Sequence, residues 1–276
     1  MLHFLYHTAI GRLLLKPLCA PWLSEKAGAF LNTGISRILI DPFVKKNGID
    51  LSEYESDHFR CFNDCFSRQI KPGRRPICLK AEALIAPCDG LLSVYPIREG
   101  SVFPVKQSFY TIEDLLNRDP CAKDFEGGTC LVFRLCVNHY HRYCYPDDAR
   151  KGKNVFIPGR LHTVRPVALA ARPVFVQNSR EYTLLQTQNF GEVLQMEVGA
   201  MLVGKIKNYE SGEATVKRGQ EKGMFLYGGS TIILLLANDQ VRLRKEITEA
   251  SAQGREFPVK MGEQIGEAAA KQKFVG

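Results

Sequence analysis

The sequence predicts an α+β fold, with helices at the amino terminus followed by a body of largely antiparallel β-sheet. Apolar residues recur at helical spacing mainly in the first part of the chain, whereas later residues form short apolar runs separated by glycine-rich joints. A chain of 276 residues with 45% hydrophobic content can bury a sizeable core, and its 24% of charged residues argue against disorder. We therefore divide the chain into a helical region, residues 1–70, and a β-rich body, residues 71–276.

The amino-terminal helices follow from the spacing of apolar side chains, which Pro17 and Pro21 interrupt. A second helix is predicted over residues 24–32, and a third begins near Ile35. None has the ~18 unbroken apolar residues that a membrane span requires. Two uses stay open: lying on a membrane surface, or packing against the body or against a second copy in a homodimer. The residues that set the spacing are Leu2, Leu5, Ala9, Leu13 and Leu14.

The rest of the chain is predicted as one more helix and a series of short strands. The helix covers residues 52–68, where Phe59, Phe62 and Phe66 recur on one side, and the Lys-Pro-Gly sequence at 71–73 ends it. The strands are apolar runs bounded by turn residues. They cover residues 84–86, 91–94, 129–137, 173–176, 182–186, 193–198, 201–206 and 231–236.

The cysteines indicate the redox setting of the protein, and its net charge indicates which partners it could bind. The nine cysteines show neither paired spacing nor a secretory signal before them, so most are expected to be reduced and buried in a cytosolic setting. The formal net charge of +8 at pH 7 suits a surface of anionic lipid. Nucleic acid would suit this sign too, but the sequence has no recognised nucleic-acid motif and no long basic tract, so no such partner is predicted.

A serine hydroxyl stands at the start of the most apolar segment. Ser230 follows Gly228 and Gly229 and precedes residues 231–236. The glycines leave room for an attack on the carbonyl of Gly229 and permit the bent backbone that this attack requires. The same pattern is also typical of an ordinary turn leading into a core strand, and on these residues alone the turn is the more frequent case.

A carboxylate and two imidazoles also lie next to apolar segments. Asp89 lies before Gly90 in a turn between two apolar segments, and His139 and His141 follow the apolar residues 129–137. Serine, histidine and aspartate are the parts of an activated nucleophile, although Asp-Gly is also a common turn pair. Two histidines spaced i, i+2 could equally bind a metal. The sequence offers no second cluster of ligands, so no metal site is predicted.

Over most of its length the chain resembles the phosphatidylserine decarboxylases, which are pyruvoyl enzymes made as a self-cleaving proenzyme. Each matching segment is common alone, but their order and spacing together are specific. The segments are residues 59–68, 75–77, 86–90, 138–146, 198–206, 217–223 and 227–231.

The resemblance implies a self-processing reaction. Ser230 would attack the carbonyl of Gly229, and the chain would part there into a large chain, 1–229, and a small chain, 230–276. Ser230 would become a pyruvoyl group, the covalent cofactor of the body over residues 71–276. Its carbonyl would form a Schiff base with phosphatidylserine and accept the electrons left by CO2, which gives phosphatidylethanolamine.

The resemblance further implies a relay of aspartate, histidine and serine during self-cleavage, which Asp89 and Ser230 match. The histidine motif differs, because Cys144 occupies the position of the family's second histidine, while the first, His141, is retained. We expect His141 to be the base. A thiol acts as a base only as thiolate, a minority species at neutral pH because the free pKa is near ~8.5. The alternatives are Cys144, His139 and His162.

The resemblance also implies where the protein works. The substrate would be a membrane lipid, and the expected location is the cytoplasmic face of the cell membrane, bound peripherally to anionic lipid. One alternative is a related pyruvoyl decarboxylase of a soluble amino acid, since the electron sink is indifferent to the rest of the substrate. Another is a membrane-binding protein without catalytic activity, which the change at Cys144 makes conceivable.

Overall fold

The computed structural model describes residues 2–98, 102–105, 108–200, 205–226 and 230–269. Helices gather at the amino terminus and antiparallel sheets follow, which confirms the predicted α+β class. The α-helices are α1 (Leu2–His7), α2 (Ala9–Leu18), α3 (Pro21–Leu31), α4 (Ile40–Asn47), α5 (Phe62–Phe66), α6 (Ile112–Leu115), α7 (Pro166–Leu169), α8 (Val174–Gln177) and α9 (Lys245–Ala252). Short 3₁₀ helices cover Gly34–Leu39, Leu51–Glu53 and Pro120–Phe125.

The strands in the described residues are mostly short, and several match the predicted runs closely. They are β1 (Ala83–Ile85), β2 (Gly90–Pro96), β3 (Val102–Val105), β4 (Ser108–Thr111), β5 (Thr129–Leu135), β6 (Arg142–Cys144), β7 (Ala149–Lys151), β8 (Val155–Ile157), β9 (Arg180–Thr187), β10 (Glu192–Val198), β11 (Lys205–Asn208), β12 (Ala214–Val216), β13 (Glu221–Leu226), β14 (Ser230–Leu236), β15 (Val241–Leu243), β16 (Phe257–Val259) and β17 (Gln264–Ala268). Of the predicted run 201–206, residues 201–204 lie outside the described residues.

The predicted first helix forms as two helices, α1 and α2, and the predicted third begins with the 3₁₀ helix Gly34–Leu39. Thr8 separates α1 from α2 and caps α2, because its hydroxyl accepts a hydrogen bond from the Gly11 nitrogen at 2.9 Å. The two helices touch at Gly11, where an added Cβ would collide with the Phe4 carbonyl oxygen. Pro17 falls in the last turn of α2, and Pro21 opens α3. In the described part of the chain, no helix is long and apolar enough to cross a bilayer.

The largest sheet holds nine strands in the order β12-β7-β9-β10-β14-β5-β2-β16, with β8 beside β9. Within the described residues, its neighbouring strands all pair antiparallel. All seven residues of β14 are buried, as suits a strand of aliphatic residues covered on both faces. A second sheet has the strand order β11-β13-β6. Its strand β6 directly follows His141 and ends at Cys144.

One end of the large sheet, here called the serine edge, collects the predicted site residues. Ser230 opens β14 opposite Leu135, the last residue of β5. β2 begins at Gly90 on the other side of β5, and its Leu91 lies opposite Arg134. On the other flank, β10 ends at Val198 opposite Thr231, and β9 begins opposite Val198. The antiparallel register therefore brings the residues before β2, after β5 and at the start of β14 to the same end of the sheet.

The predicted helix over residues 52–68 is wrong. Only Phe62–Phe66 is α-helical, and residues on either side of it pair with each other as extended chain: the Glu55 nitrogen donates to the Gln69 oxygen, and the Lys71 nitrogen donates to the Glu53 oxygen. This pairing spans more than a dozen residues, and a helical window cannot reveal it. Phe59, Phe62 and Phe66 nevertheless lie together, as predicted, because they share one buried apolar cluster.

The predicted strand over residues 173–176 is also wrong, because Val174–Gln177 is the helical turn α8. The β-branched valines favour a strand. The helical turn wins because it delivers Asn178, whose fully buried amide bonds to the backbone of His162 and Gly199. All nine cysteines lie in described ranges and are free thiols; the five that are buried are Cys19, Cys65, Cys88, Cys130 and Cys144.

Candidate active site

Ser230 is fully buried at the serine edge. Its Oγ has no hydrogen-bond partner among the described residues, although burial normally demands one. Backbone pairing to β5 on one side and β10 on the other holds the start of β14 in place. Gly229, the other half of the predicted cleavage site, lies outside the described residues together with 227 and 228.

His141 is also fully buried, on the loop that follows β5. Its Nδ1 lies 2.9 Å from the His139 carbonyl oxygen, and a carbonyl can only accept, so Nδ1 carries the ring proton. Nε2 therefore bears the lone pair, and it has no partner among the described residues. Burial lowers the pKa of His141 well below its ordinary value, and the charge of Arg68 acts in the same direction. The ring is thus neutral at neutral pH and able to accept a proton at Nε2.

Two contacts fix the orientation of His141. Its ring packs on Phe66 with the centroids 4.1 Å apart. The guanidinium of Arg68 donates to the carbonyl oxygens of Asn138 at 3.0 Å and His139 at 3.3 Å, so it fastens the loop that presents the histidines. α5 delivers both residues, because Phe66 is its last residue and Arg68 follows two positions later.

His139 holds its ring proton on the other nitrogen. Its Nδ1 accepts from the Cys136 nitrogen at 3.1 Å, so in the neutral ring the proton is on Nε2. Burial lowers the pKa of His139, and the carboxylate of Asp89 opposes this shift. Asp89 and His139 both line a cavity of about 570 Å³, together with Tyr54, Arg75 and Asn138.

Asp89 is engaged by an arginine rather than by a histidine. Arg75 makes a two-pronged contact, with Nε 2.8 Å from Oδ1 and Nη2 2.6 Å from Oδ2, and the Met261 nitrogen donates to Oδ1 at 2.9 Å. The two side chains are only 6% and 9% exposed. The two-pronged contact holds both side chains in a fixed position, and their opposite charges cancel. Asp89 therefore acts on the neighbouring His139 through its electric field, since no hydrogen bond joins the two in the described residues.

Cys144 lies beside the aspartate turn, because its nitrogen donates to the Pro87 oxygen at 2.8 Å. The thiol is fully buried. Burial, and next the charge of Glu221, raise the pKa of Cys144 to about 12. The thiol therefore keeps its proton at neutral pH, which leaves it a poor base.

His162, the remaining alternative, lies on the opposite flank of the serine edge. Its Nδ1 is 3.3 Å from the Tyr6 hydroxyl and 3.3 Å from the Cys19 sulfur, so it contacts α1 and the end of α2. Burial lowers the pKa of His162 to about 4, and Arg172 and Arg160 add to the shift. The imidazole lines a different cavity from the one that holds Asp89 and His139.

A buried ion pair lies close to Ser230 on the same sheet face. Glu197 stands opposite Ile232, two residues along β14 from Ser230, so their side chains share a face. Its carboxylate is 2.6 Å from Lys222 Nζ, and neither side chain is exposed. Burial raises the pKa of Glu197, which Lys222 opposes.

Sequence reasoning assigned no role to Arg75 or to Glu197. Arg75 stood in a matching segment, but nothing in the local pattern connects it with Asp89. Glu197 did carry a signal, since an acidic residue inside the apolar run 193–198 is unusual for a buried strand. Another cavity, of about 770 Å³, lies at the opposite end of β2, around Pro96 and Thr129, away from these groups.

Comparisons with known proteins agree on one family. The family model described as phosphatidylserine decarboxylase matches residues 62–267. The chain is similar to "Phosphatidylserine decarboxylase proenzyme 2" of Clostridium acetobutylicum, with 44% identity over 96% of this chain and 91% of the relative. It is also similar to phosphatidylserine decarboxylase proenzymes of Clostridium botulinum, with 38% identity over 96% and 92%, and of Clostridium kluyveri, with 38% over 96% and 91%.

Proposed function

The chain belongs to the phosphatidylserine decarboxylase family, and we propose that it cuts itself between Gly229 and Ser230 and then converts phosphatidylserine to phosphatidylethanolamine. It is accordingly a carboxy-lyase made as a proenzyme. The residue assignment is carried by Ser230 Oγ and His141 Nε2, which are both buried and both without a described partner. Each such group costs on the order of 1–3 kcal/mol, so two of them near one sheet edge suggest a shared purpose.

Self-cleavage begins with the transfer of the Ser230 hydroxyl proton to the lone pair of His141 Nε2. The Oγ attacks the Gly229 carbonyl carbon, the peptide C–N bond breaks, and the nitrogen takes up a proton, so an ester replaces the amide. Loss of the Ser230 Cα proton then breaks the Cβ–O bond and frees the Gly229 carboxylate. Water finally replaces the nitrogen, which leaves as ammonia.

The resulting pyruvoyl group supplies an electron sink for decarboxylation. The position of Ser230 suits it, because the serine is excluded from solvent at the edge that also presents a cavity with Asp89 and His139. Decarboxylation leaves a substrate carbon that must take up a proton. His139 can donate one, since its Nε2 is protonated in the neutral ring. We assign His141 to self-cleavage and His139 to protonation of the substrate carbon, while Arg75 holds Asp89 in place.

We place the protein on the cytoplasmic face of the cell membrane, where its helical region contacts anionic lipid. Ile10, Leu13, Trp22 and Ile38 are between 53% and 71% exposed, which is unusual for large apolar side chains crowded into one part of a chain. The net charge of +8 complements an anionic surface. Apolar side chains and positive charge together are the two features that hold peripheral proteins at a bilayer.

Intact-mass analysis of the purified protein tests self-processing. We expect two polypeptides, residues 1–229 and 230–276, with a blocked amino end on the shorter, and a single uncut chain for Ser230→Ala. A wild-type chain that persists uncut would overturn the proposal. Release of CO2 from vesicles of phosphatidylserine, and its absence with free serine, identifies the lipid as the substrate.

Sedimentation with vesicles tests the membrane contact. Ile38→Glu places a charge among the exposed apolar side chains and should weaken binding to vesicles containing phosphatidylglycerol. Leu79→Glu is the matched control, because Leu79 is 90% exposed but lies outside the amino-terminal helices. Equal binding by both variants would count against the helical region as the contact surface.

A further inference from the structure

A second cavity, here called the basic pocket, opens on the flank of the serine edge that carries His162. Its volume is about 360 Å³, and none of its described lining residues is acidic. The lining comes from α2 and from the segment between β8 and α8. The residues are Ala9, Arg12, Leu13, Leu15, Lys16, Arg160, His162 and Arg172.

Three cations of the basic pocket, Arg12, Lys16 and Arg160, have no carboxylate partner among the described residues. The field of these cations reaches the groups beneath them. Arg160 and Arg172 both lower the pKa of Cys19, although burial outweighs them and raises it to about 11.

His162 is the neutral, buried part of the lining. Its Nδ1 lies 3.3 Å from the Tyr6 hydroxyl oxygen and 3.3 Å from the Cys19 sulfur, which hold the ring against α1 and the end of α2. Burial raises the pKa of both partners, so neither brings a negative charge to the pocket. The pocket therefore presents guanidinium and ammonium groups, which are the donors that bind phosphate oxygens.

The surroundings of the pocket indicate which phosphate it meets. α2 places Arg12 and Lys16 at the cavity, while Ile10 and Leu14 on the same helix are 68% and 52% exposed. A helix with cations in a pocket and apolar side chains beside it suits the boundary between lipid head groups and acyl chains. A water takes up about 30 Å³, so the cavity has room for a phosphodiester and part of its glycerol.

We propose that the basic pocket binds the phosphate group of an anionic membrane phospholipid that is not the reacting substrate. The proposal goes beyond the decarboxylase function and rests on the membrane contact proposed with it. None of the described residues that line it also lines the cavity that holds Asp89 and His139. The basic pocket is therefore a separate site beside the serine edge.

The fold ties the basic pocket to the serine edge. The buried amide of Asn178 donates to the His162 oxygen at 2.8 Å and to the Gly199 oxygen at 2.7 Å, and its Oδ1 accepts from the His162 nitrogen at 2.9 Å. Gly199 directly follows β10, the strand beside β14. A lipid held in the pocket would therefore orient the serine edge towards the bilayer that supplies the substrate.

Two charge-matched double variants of the full-length protein test the site. Arg12→Gln/Arg160→Gln removes two cations from the pocket, and Lys45→Gln/Lys46→Gln removes two exposed cations from the last turn of α4. The probes are inorganic phosphate, dihexanoyl phosphatidic acid as a soluble lipid, and phosphatidylcholine vesicles with and without phosphatidylglycerol. We expect the pocket variant to bind the soluble lipid at least about tenfold more weakly, and the control within about threefold of wild type.

Equal weakening by the two variants would overturn the proposal, because it would reduce the effect to diffuse surface charge. Binding of inorganic phosphate without the soluble lipid would also overturn it, and would assign the pocket to free phosphate instead. A loss confined to the pocket variant, on both soluble lipid and vesicles, supports it. Cleavage at residue 230 is scored in the same preparations, so a failure of self-processing is seen separately from a failure of lipid binding.

Discussion

Two buried histidines lie on opposite flanks of the serine edge and meet different partners at Nδ1. His141 donates from Nδ1 to a backbone carbonyl, which leaves Nε2 as a base. His162 Nδ1 contacts a hydroxyl and a thiol, each of which can donate or accept a hydrogen bond. Burial lowers the pKa of both rings, so burial does not distinguish them. A carbonyl partner commits a neutral imidazole to one tautomer, whereas a hydroxyl or a thiol is compatible with both.

The charged side chains on the two flanks also differ in whether they have partners of opposite charge. On the flank of His141, the guanidinium of Arg75 lies against Asp89, and Glu53 is 3.5 Å from it. On the flank of His162, Arg12 and Arg160 face a cavity without a described carboxylate near them. Paired charges make a rigid, nearly neutral setting for moving a proton, whereas unbalanced charge attracts an anion. One sheet edge can therefore hold a reactive centre and a lipid contact side by side.

Removal of the base should have the largest effect. His141→Ala is expected to slow cleavage at residue 230 by about 10² to 10⁴, because the lone pair at Nε2 is lost. The fraction of cut chain against time, followed by gel after rapid purification or cell-free synthesis, measures it. Cys144→Ala is the comparison on the same flank, and its protonated thiol predicts a rate within about threefold of wild type. A larger loss in Cys144→Ala than in His141→Ala would reverse the assignment of the base.

The next largest effect is expected on the free energy of unfolding, because Asp89 has a partner of opposite charge and Arg160 has none among the described residues. Arg75→Met leaves the nearly buried carboxylate of Asp89 without its partner, which is expected to cost about 3–5 kcal/mol of unfolding free energy. Arg160→Met removes an exposed cation with no described partner, so its cost should stay within about 0.5 kcal/mol. Urea unfolding of both variants on a Ser230→Ala background keeps the chain uncut during the measurement.

A double variant separates pairing from packing at this position. Arg75→Met/Asp89→Asn should recover part of the loss, since no charge is then buried alone. If the double variant is as unstable as Arg75→Met, the loss comes from packing and the contrast between the flanks fails.

Local pattern predicted the reactive strand but not its partners. Ser230 and the apolar run after it could be read from the sequence, because a buried central strand needs little more than unbroken aliphatic residues. The predicted helix over residues 52–68 failed because extended pairing between distant residues overrode the local period. The Arg75 contact to Asp89 joins residues from separate segments, so no local window contains it. The basic pocket is the extreme case, since α2 and Arg160 are far apart in sequence.

The smallest expected effect is the pH dependence that His162 contributes. Its pKa is lowered to about 4 in the folded chain, so between pH 6.5 and 4 the unfolded chain binds the extra proton. Stability from this group is therefore complete above about pH 6.5 and falls as the pH drops towards 4, by about 3 kcal/mol. His162→Gln on the Ser230→Ala background should flatten the curve of unfolding free energy in this window, and His58→Gln, an exposed histidine, should leave it unchanged. Parallel curves for wild type and His162→Gln would mean that folding leaves the pKa of His162 unchanged, and a buried neutral imidazole would no longer describe this flank.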